Sequence, residues 1–483
     1  MDPHNTLSTA RTALCIYPWR KGISATNWLP PLGLECISAA IKQAGVDTHL
    51  VDMRFEPDPE HLRQLKAEAI CISANWEDQL PMLPVLTDLF NPDQAIIVGG
   101  RAASLSTEEI FKTCPNVDAV VRGDGEETIG ELFSGIQLET ISGLSYRENG
   151  RVRHNPHRRF DSVPENIFPD RQGRKHAYQV RMGKVETGIA IDLLSSSRGC
   201  PFHCKFCTFS RNPLGEKRPW AGRSPRSVVA ELEGLKADYI LFTDDHFAAD
   251  IKRVEEICDL IIQRNIKKTL AVALRIEVAF HDTVPAKLWN AGFRFLSLGI
   301  ESTTDKTLRE LEKGFDTARV REACRRLRKY PFLLIGYFIV GNIGETEEDM
   351  LRIADFAHEL GLDFIYPSYL KMERYSPLEE MVKRSGGLYY VDSKGYVCSK
   401  DYSRDYLKAI RKRIHRRFYS LPQTLSIARK VFQSHLMSWR SAVTMALCGL
   451  KHSSNRKKII QEQQRLKALY AFTSEEKSHR SIR

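Results

Sequence analysis

The sequence predicts an α/β protein built from two strand-and-helix domains in series and a basic helical C-terminal region. Three observations carry this expectation. Short apolar strands alternate with helical segments from residue 12 to about 135, and the alternation resumes at Gly188. The 483 residues exceed what one ordinary core encloses. Positive charge gathers at one end: Arg404 to Arg483 hold 19 Lys and Arg against 4 Asp and Glu, so a local +15 leaves −4 on the rest of a chain whose net charge is +11. The expected divisions are 1–145, a linker over 146–187, a second domain over 188–390 and the basic region over 391–483.

In the first domain, Thr12 to Tyr17 reads as a strand, Gly33 to Ala44 as a helix closed by Gly45, and Thr48 to Asp52 as a second strand. Ala69 to Ala74, Ala95 to Val98 and Ala119 to Val121 supply three more, which makes a Rossmann-like parallel sheet. Several strands end in small or turn residues: Ser73-Ala74-Asn75, Gly99-Gly100-Arg101 and Arg122-Gly123-Asp124-Gly125-Glu126. Ligands of open α/β sheets bind beyond the carboxyl ends of strands, where glycine admits a bulky group to the backbone. Plain turns would use the same glycines.

The expected linker is rich in turns and charge, with Glu148-Asn149-Gly150-Arg151 reading as a hairpin turn. Gly188 to Leu194 then forms an apolar strand that opens the second domain. Val228, Val229, Leu232 and Leu235 have helical spacing. Strands follow at Tyr239 to Thr243, Thr269 to Leu274, Phe295 to Gly299, Leu333 to Val340 and Phe364 to Tyr366. Helices at Arg253 to Arg264, Pro285 to Ala291, Thr317 to Arg328 and Glu347 to Leu360 lie between them, the order of a partial (βα) barrel. Active-site residues of such barrels gather where strands end.

The most diagnostic segment joins the first strand of that barrel to the rest. Cys200, Cys204 and Cys207 stand in Arg198-Gly199-Cys200-Pro201-Phe202-His203-Cys204-Lys205-Phe206-Cys207. Three thiolates on one tight loop can hold three irons of a [4Fe-4S] cluster and leave the fourth open to a small molecule. A structural zinc site would need a fourth ligand, usually within a second Cys/His pair, and no second pair follows.

This C-x3-C-x-aromatic-C run resembles the radical S-adenosylmethionine (SAM) superfamily. In that family the open iron binds the amino and carboxylate groups of SAM, and an electron from the cluster cleaves SAM to a 5′-deoxyadenosyl radical. The resemblance places Asp244 and Asp245 near the SAM amino group, although either could instead cap the following helix. It places Glu301 of Gly299-Ile300-Glu301-Ser302 near the ribose or substrate, where a surface acid is the alternative. It sets Phe206 and Gly341 near adenine, Gly341 opening Gly341-Asn342-Ile343-Gly344-Glu345-Thr346, which is also a good helix start. Arg275 and Tyr366 are further pocket candidates, and His246 is a candidate proton donor or a structural histidine.

Ahead of the cysteine loop, Pro31-Leu32-Gly33-Leu34-Glu35, Ile72-Ser73, Val98-Gly99-Gly100 and Arg122 to Thr128 resemble, in that order, the cobalamin-binding domain fused to many radical SAM enzymes. The implied cobalamin residues are Ser73, Gly99, Gly100, Gly123 and Glu126. The Asp-x-His-x-x-Gly segment that supplies a lower histidine ligand in some cobalamin proteins is absent, so the cobalt is expected to have no protein histidine below it. A degenerate, empty domain is the alternative.

Together these motifs resemble the group containing the anaerobic Mg-protoporphyrin cyclase, the hopanoid methylase and the phosphorus methylases. The resemblance implies methylation of an unactivated carbon in a small-molecule or lipid-like substrate, with a flavodoxin- or ferredoxin-type electron donor. Radical oxidation or ring formation is the rival enzyme reading, and a cobalamin-binding sensor the non-enzyme reading. A methylthiotransferase would need a second cluster, but Cys15, Cys36 and Cys71 fall in a strand, a helix and a strand.

Among the eleven cysteines there is one close cluster, as in a reducing cytoplasm. Met1 to Thr6 lacks the order of a signal peptide, and no run reaches the roughly 18 apolar residues of a membrane span, Ser441 to Leu450 coming nearest. In the tail, Leu407, Ile410, Ile414, Phe418 and Leu421 share one helical face among basic residues. Such a helix suits peripheral contact with an anionic membrane or packing on the barrel. Nucleic acid ranks behind both, because no recognition motif accompanies the charge.

Overall fold

The computed structural model describes residues 7, 9–18, 29–56, 58–182 and 185–433. The described chain divides into two compact units, one made chiefly of residues up to 190 and the other chiefly of residues 191–433.

In the first unit β1 (Thr12–Tyr17), α1 (Leu32–Gln43), β2 (Asp47–Asp52), α2 (Pro59–Arg63), β3 (Ala69–Ser73), α3 (Leu83–Thr87) and β4 (Ala95–Gly99) follow in turn. Next come α4 (Arg101–Leu105), α5 (Thr107–Thr113), β5 (Ala119–Val121), α6 (Glu126–Phe133), β6 (Leu144–Glu148) and β7 (Arg151–His154). The sheet order is β2-β1-β3-β4-β5-β6-β7, parallel through β5 and antiparallel for β6 and β7.

Successive strand residues point to opposite faces. Accordingly Ala13, Cys15, Ala69 and Cys71 join Leu34 and Ile41 of α1 in one core, while Leu14, Ile16, Ile70 and Ile72 join Leu83 and Phe111 in the other. Burial on both sides explains why these strands read as continuous apolar runs. Strand order reverses between β1 and β3, and the carboxyl ends at such a switch point are where doubly wound sheets take ligands.

Much of the segment expected as a linker over 146–187 is structured within this unit. β6 and β7 form the anticipated hairpin, with Asn149 at φ 50° and Gly150 at φ 75°, the paired positive angles of a type I′ turn. Residues 170–178 then return as a strap over α1 and β2. Asp170 accepts from Ser38 Oγ at 2.8 Å and pairs with Lys42 at 2.7 Å. Arg174 grips the fully buried Glu35 carboxylate through two bonds of 2.6 and 2.7 Å, and Tyr178 donates to Asp52 at 2.7 Å. The strap looks like a linker in sequence because polar bonds, not an apolar face, hold it down.

β8 (Gln179–Met182) forms an antiparallel hairpin with β9 (Val185–Leu194), which leads into the second unit. There β10 (Ser197–Arg198), β11 (Ala221–Gly222), α7 (Pro225–Gly234), β12 (Tyr239–Phe242), α8 (Ile251–Gln263), β13 (Thr269–Leu274) and α9 (Val284–Asn290) follow. Next are β14 (Phe293–Glu301), α10 (Asp305–Glu310), α11 (Thr317–Leu327), β15 (Leu333–Val340), α12 (Glu347–Glu359) and β16 (Phe364–Tyr369).

Strands β9, β12, β13, β14, β15 and β16 are parallel and adjacent in chain order, the layout of a partial (βα) barrel. One face carries Leu270, Val272, Leu298 and Phe338 into the main core beneath the helices. Register puts Ala273, Ser297, Tyr337 and Tyr366 on the opposite face, where Tyr337 and Tyr366 stand 37% and 51% exposed with ring centroids 5.3 Å apart.

α13 (Leu378–Arg384), the β17 (Tyr389–Val391) and β18 (Val397–Ser399) pair, α14 (Arg404–Phe418) and α15 (Leu421–Gln433) complete the described chain. Of the two readings of the stripe, a membrane-facing surface or packing on the barrel, the structure shows the second. Leu407, Ile410, Ile414 and Phe418 are at most 1% exposed and join the main core, with α14 lying against α12, β15 and β16. The periodicity marked an apolar face correctly as far as Phe418, and the barrel covers it; Leu421, also expected on that face, begins the next helix and is 73% exposed. Ser441 to Leu450, and the rest of the basic region past 433, lie outside the described residues. Among the described residues no helix is long and apolar enough to cross a membrane.

Candidate functional site

The cysteine loop leaves β9 and is tied down at several points. Gly199 sits at φ 82°, where a Cβ would come 2.5 Å from the Pro219 carbonyl oxygen, so only glycine fits this passage. Its N–H donates to Asp245 Oδ2 at 2.8 Å. Lys205 N donates to Leu311 O at 3.1 Å, and Ser376 Oγ to Lys205 O at 2.9 Å. Cys204 is buried and Cys200 and Cys207 are half-buried, all three free thiols. Burial pushes the Cys207 thiol up to about 12 and raises that of Cys200. A bound metal overrides this by ligating the thiolate outright.

The two aspartates after β12 divide their work. Asp244 is buried and accepts from Ser196 N at 3.2 Å, Ser196 Oγ at 2.6 Å and Ser197 Oγ. It clamps the exit of β9, and burial raises its carboxyl despite those donors. Asp245 is half-buried and braces Gly199 of the loop. His246 is buried with its ring 5.3 Å from that of Phe202, and burial drives its imidazole down to about 4. At neutral pH it is uncharged, so it holds no proton to give as an imidazolium.

At the end of β14 the register slips between Gly299 and Glu301, and Glu301 adopts φ 76°. A non-glycine residue in that region stores strain, a feature that clusters at functional sites. Its carboxylate lies 3.3 Å from Lys313 Nζ, and desolvation raises it although Lys313 and Arg275 pull the other way. Lys313 Nζ also lies 5.6 Å from the Phe206 ring centroid. Arg275, just past β13, donates to Cys204 Sγ at 3.5 Å, to Glu277 at 2.7 Å and to Lys313 O, and stacks on Phe202 at 3.7 Å. Four strand ends thus converge on one loop.

Phe206 and Ile343 both pack against a small cluster of Ile339, Leu370, Leu378 and Val397. The loop is thereby joined to the segment after β15. Gly341 sits at φ 85°, and the space a side chain would need is taken by Leu407, 3.0 Å from its ideal Cβ. Asn342 Oδ1 is buried without a hydrogen-bond partner. Glu345 is buried, accepting from Ser302 Oγ at 2.6 Å and Asn342 N at 3.2 Å, and desolvation lifts its carboxyl to about 7.

In the first unit, Ser73, Gly99, Gly100, Gly123 and Glu126 line up at the carboxyl ends of β3, β4 and β5. Asn75 ties them together, donating to Ser73 Oγ at 2.9 Å and accepting from Arg101 N at 3.1 Å. Gly100 is at φ 107°, and a Cβ there would meet Ala74 O at 2.7 Å; Gly123 is at φ 83°, and a Cβ there would meet the Phe160 ring at 2.6 Å. Their bareness serves the chain itself. Gly99 differs: a Cβ there would meet only Val121, at 3.6 Å, which leaves a half-exposed backbone for a ligand to approach. Glu126 is buried in the first turn of α6.

Three free thiols on one loop are the ligand chemistry that an iron-sulfur cluster takes. In a cluster each thiolate binds its own iron, whereas one tetrahedral ion needs convergent ligands. Among the described residues no three His, Cys, Asp or Glu side chains converge that way. The small-residue ends of β3 and β4 fit a bulky ligand laid against the backbone, and none of the named residues there is a histidine.

Lys313 was not singled out from the sequence. It lies in the turn after a short helix, between Glu312 at φ 54° and Gly314 at φ 75°, so no strand-end rule marks it. The strap residues Arg174 and Tyr178 were missed likewise.

Residues 194–357 match the radical SAM superfamily profile, and residues 22–133 match the B12 binding domain. An uncharacterized methyltransferase of Pyrococcus horikoshii is 26% identical over 430 residues, covering 84% of this chain and 91% of that protein. The anaerobic magnesium-protoporphyrin IX monomethyl ester cyclase of Synechocystis is 25% identical over 353 residues, covering 69% and 67%. Among solved structures, the radical SAM methyltransferase TsrM from Kitasatospora setae superposes with a TM-score of 0.63 at 17% identity, covering 79% of this chain and 76% of that one. The cobalamin-dependent radical enzyme OxsB gives a TM-score of 0.65 at 16% identity, covering 98% and 82%.

Proposed function

Because this chain belongs to the radical SAM superfamily and carries a B12 binding domain ahead of that domain, we propose that it methylates an unactivated carbon of a small-molecule substrate. It is an enzyme of the cobalamin-dependent radical SAM kind, and its cofactors are a [4Fe-4S] cluster, SAM and cobalamin. When bound, the cluster supplies the electron that cleaves SAM, and cobalamin carries the methyl group.

The observation that carries the proposal is one chain holding a three-thiolate loop and a doubly wound sheet with a bare strand end at Gly99. The relative named as a methyltransferase, which this chain matches over nearly its whole length, supports the same reading.

The residues take these proposed roles. Cys200, Cys204 and Cys207 hold the cluster. Asp245 is the carboxylate for the SAM ammonium, since Asp244 is committed to Ser196 and Ser197. Glu301 with Lys313 presents a paired acid and base to the polar part of SAM, and Phe206 with Ile343 forms an apolar wall for adenine. Ser73, Gly99, Gly100, Gly123 and Glu126 form the cobalamin rim. The substrate lies against the open sheet face near Ala273, Ser297, Tyr337 and Tyr366, whose uncharged character suits an apolar or lipid-like molecule.

The electron donor is of flavodoxin or ferredoxin type, and the free thiols among the described residues suit a reducing cytoplasm. With the α14 stripe buried, that stripe is not free to meet a membrane surface.

Anaerobic reconstitution and analysis of SAM products test the function. Methylation gives 5′-deoxyadenosine together with S-adenosylhomocysteine. Deoxyadenosine alone with a turned-over substrate would favour the oxidative or cyclising reaction. Iron near four per chain in the Cys200→Ala, Cys204→Ala, Cys207→Ala triple variant would overturn the cluster assignment.

A further inference from the structure

We infer that Arg275 is a positioning residue that sets the reduction potential of the iron-sulfur centre through the Cys204 sulfur. The inference rests on the cluster assignment above and adds a function for a side chain outside the cysteine motif.

The geometry is specific. Arg275 Nη1 lies 3.5 Å from Cys204 Sγ, and the guanidinium is fixed on every other side. Glu277 receives its Nε at 3.1 Å and its Nη2 at 2.7 Å, and Nη2 also donates to the Lys313 carbonyl. The plane rests on Phe202 with Cζ 3.7 Å from the ring centroid, and Phe315 lies at 5.2 Å. Phe202 itself stands between Cys200 and Cys204 in the loop. Arg275 is 8% exposed and ion-paired with Glu277 at 2.7 Å, so a buried, anchored guanidinium turns its remaining arm, Nη1, to one sulfur.

A guanidinium is a delocalised cation that presents its N–H donors in a rigid planar fork. Donation to a charged acceptor is about twice as strong as a neutral hydrogen bond. Hydrogen bonds to sulfur and local charge are among the levers that set cluster potentials. Reduction adds one electron, from a low-potential one-electron donor, and no proton. The added negative charge is favoured by a fixed cation at the ligand sulfur, so Arg275 raises the potential and eases reduction. Lys313, whose ammonium neutralises Glu301, keeps that carboxylate from opposing the effect.

The test is a redox titration of the reconstituted protein followed by electron paramagnetic resonance, with dithionite and titanium(III) citrate as reductants and no SAM or substrate present. Arg275→Gln should keep about four irons per chain and lower the midpoint. At fixed poise the reduced-to-oxidised ratio should fall about tenfold, or about 59 mV for one electron. Arg275→Lys, which keeps the charge but lacks the fork that reaches Sγ, should shift the same way by less.

If Arg275→Gln fails to hold iron, Arg275→Lys decides: a lowered midpoint supports the inference and a wild-type midpoint overturns it. A cluster-bearing Arg275→Gln with the wild-type midpoint also overturns it. Failure of the cluster assignment would appear differently, as iron retained when all three cysteines are replaced.

Discussion

Lys313 Nζ lies 3.3 Å from Glu301 Oε1, and the two side chains are only 4% and 10% exposed. The pair joins the end of β14 to the turn after α10 beside the cysteine loop. Buried partners of this kind are sensitive to the loss of either one, because the survivor stays charged where water cannot reach it.

Lys313→Met should therefore destabilise the apoprotein by about 3–5 kcal/mol. Adding Glu301→Gln should recover part of that loss. Denaturation of the single and double variants measures it, and strictly additive losses would show that the two side chains do not interact.

Gly99 and Gly100 should separate cofactor binding from folding. Gly100→Ala sets a Cβ against Ala74 O at a positive φ and should destabilise the first unit whether or not cobalamin is supplied. Gly99→Val places its Cβ in only ordinary contacts, at 3.6–3.7 Å from Val121. It should keep the apoprotein melting temperature within a few degrees while cutting cobalamin retention at least tenfold, read from the visible spectrum after gel filtration. Full retention by Gly99→Val would remove β4 from the binding rim.

Glu345 gives a pH dependence of defined sign. Its buried carboxyl titrates near 7 in the folded chain, against 4.5 as its ordinary value. The folded state therefore binds more protons between those values, and stability falls as pH rises through that window, by on the order of 3 kcal/mol in all. Glu345→Gln removes the ionisation. Its amide can still accept from Asn342 N and donate to Ser302 Oγ. The variant should match wild type near pH 4.5 and melt higher at pH 8; equal melting temperatures at pH 8 would refute the raised carboxyl.

The α14 stripe makes a fourth prediction. Ile414 is fully buried, so Ile414→Ala should cost about 2–5 kcal/mol. Sedimentation with anionic vesicles should not change. Unaltered stability together with lost vesicle binding would return the stripe to a lipid role.

Much of this was legible in the sequence because the signals were local. Strands such as Thr12–Tyr17 and Leu333–Val340 are apolar runs bounded by turn residues, and the cysteine loop is a spacing. Leu407, Ile410, Ile414 and Phe418 show where such reasoning stops: periodicity reveals that a face is apolar but not what covers it. Gly100, Gly123 and Gly341 show the same limit from another side. Their positive φ could be anticipated from glycine, whereas Ala74, Phe160 and Leu407 filling the space required the assembled fold. Lys313 and Arg174 come from segments with no periodic pattern and act through partners far away in sequence.

The strap has a consequence for how the chain can be divided and recombined. A first unit cut at 145 would end inside β6 and take Arg174 away from the buried Glu35 carboxylate and Tyr178 away from Asp52. Any exchange of sheet domains between relatives must carry everything through Tyr178 as one inheritable piece. Substitutions on α1 are then constrained by residues well over a hundred positions downstream, so Glu35 and Arg174 should change together across relatives or not at all.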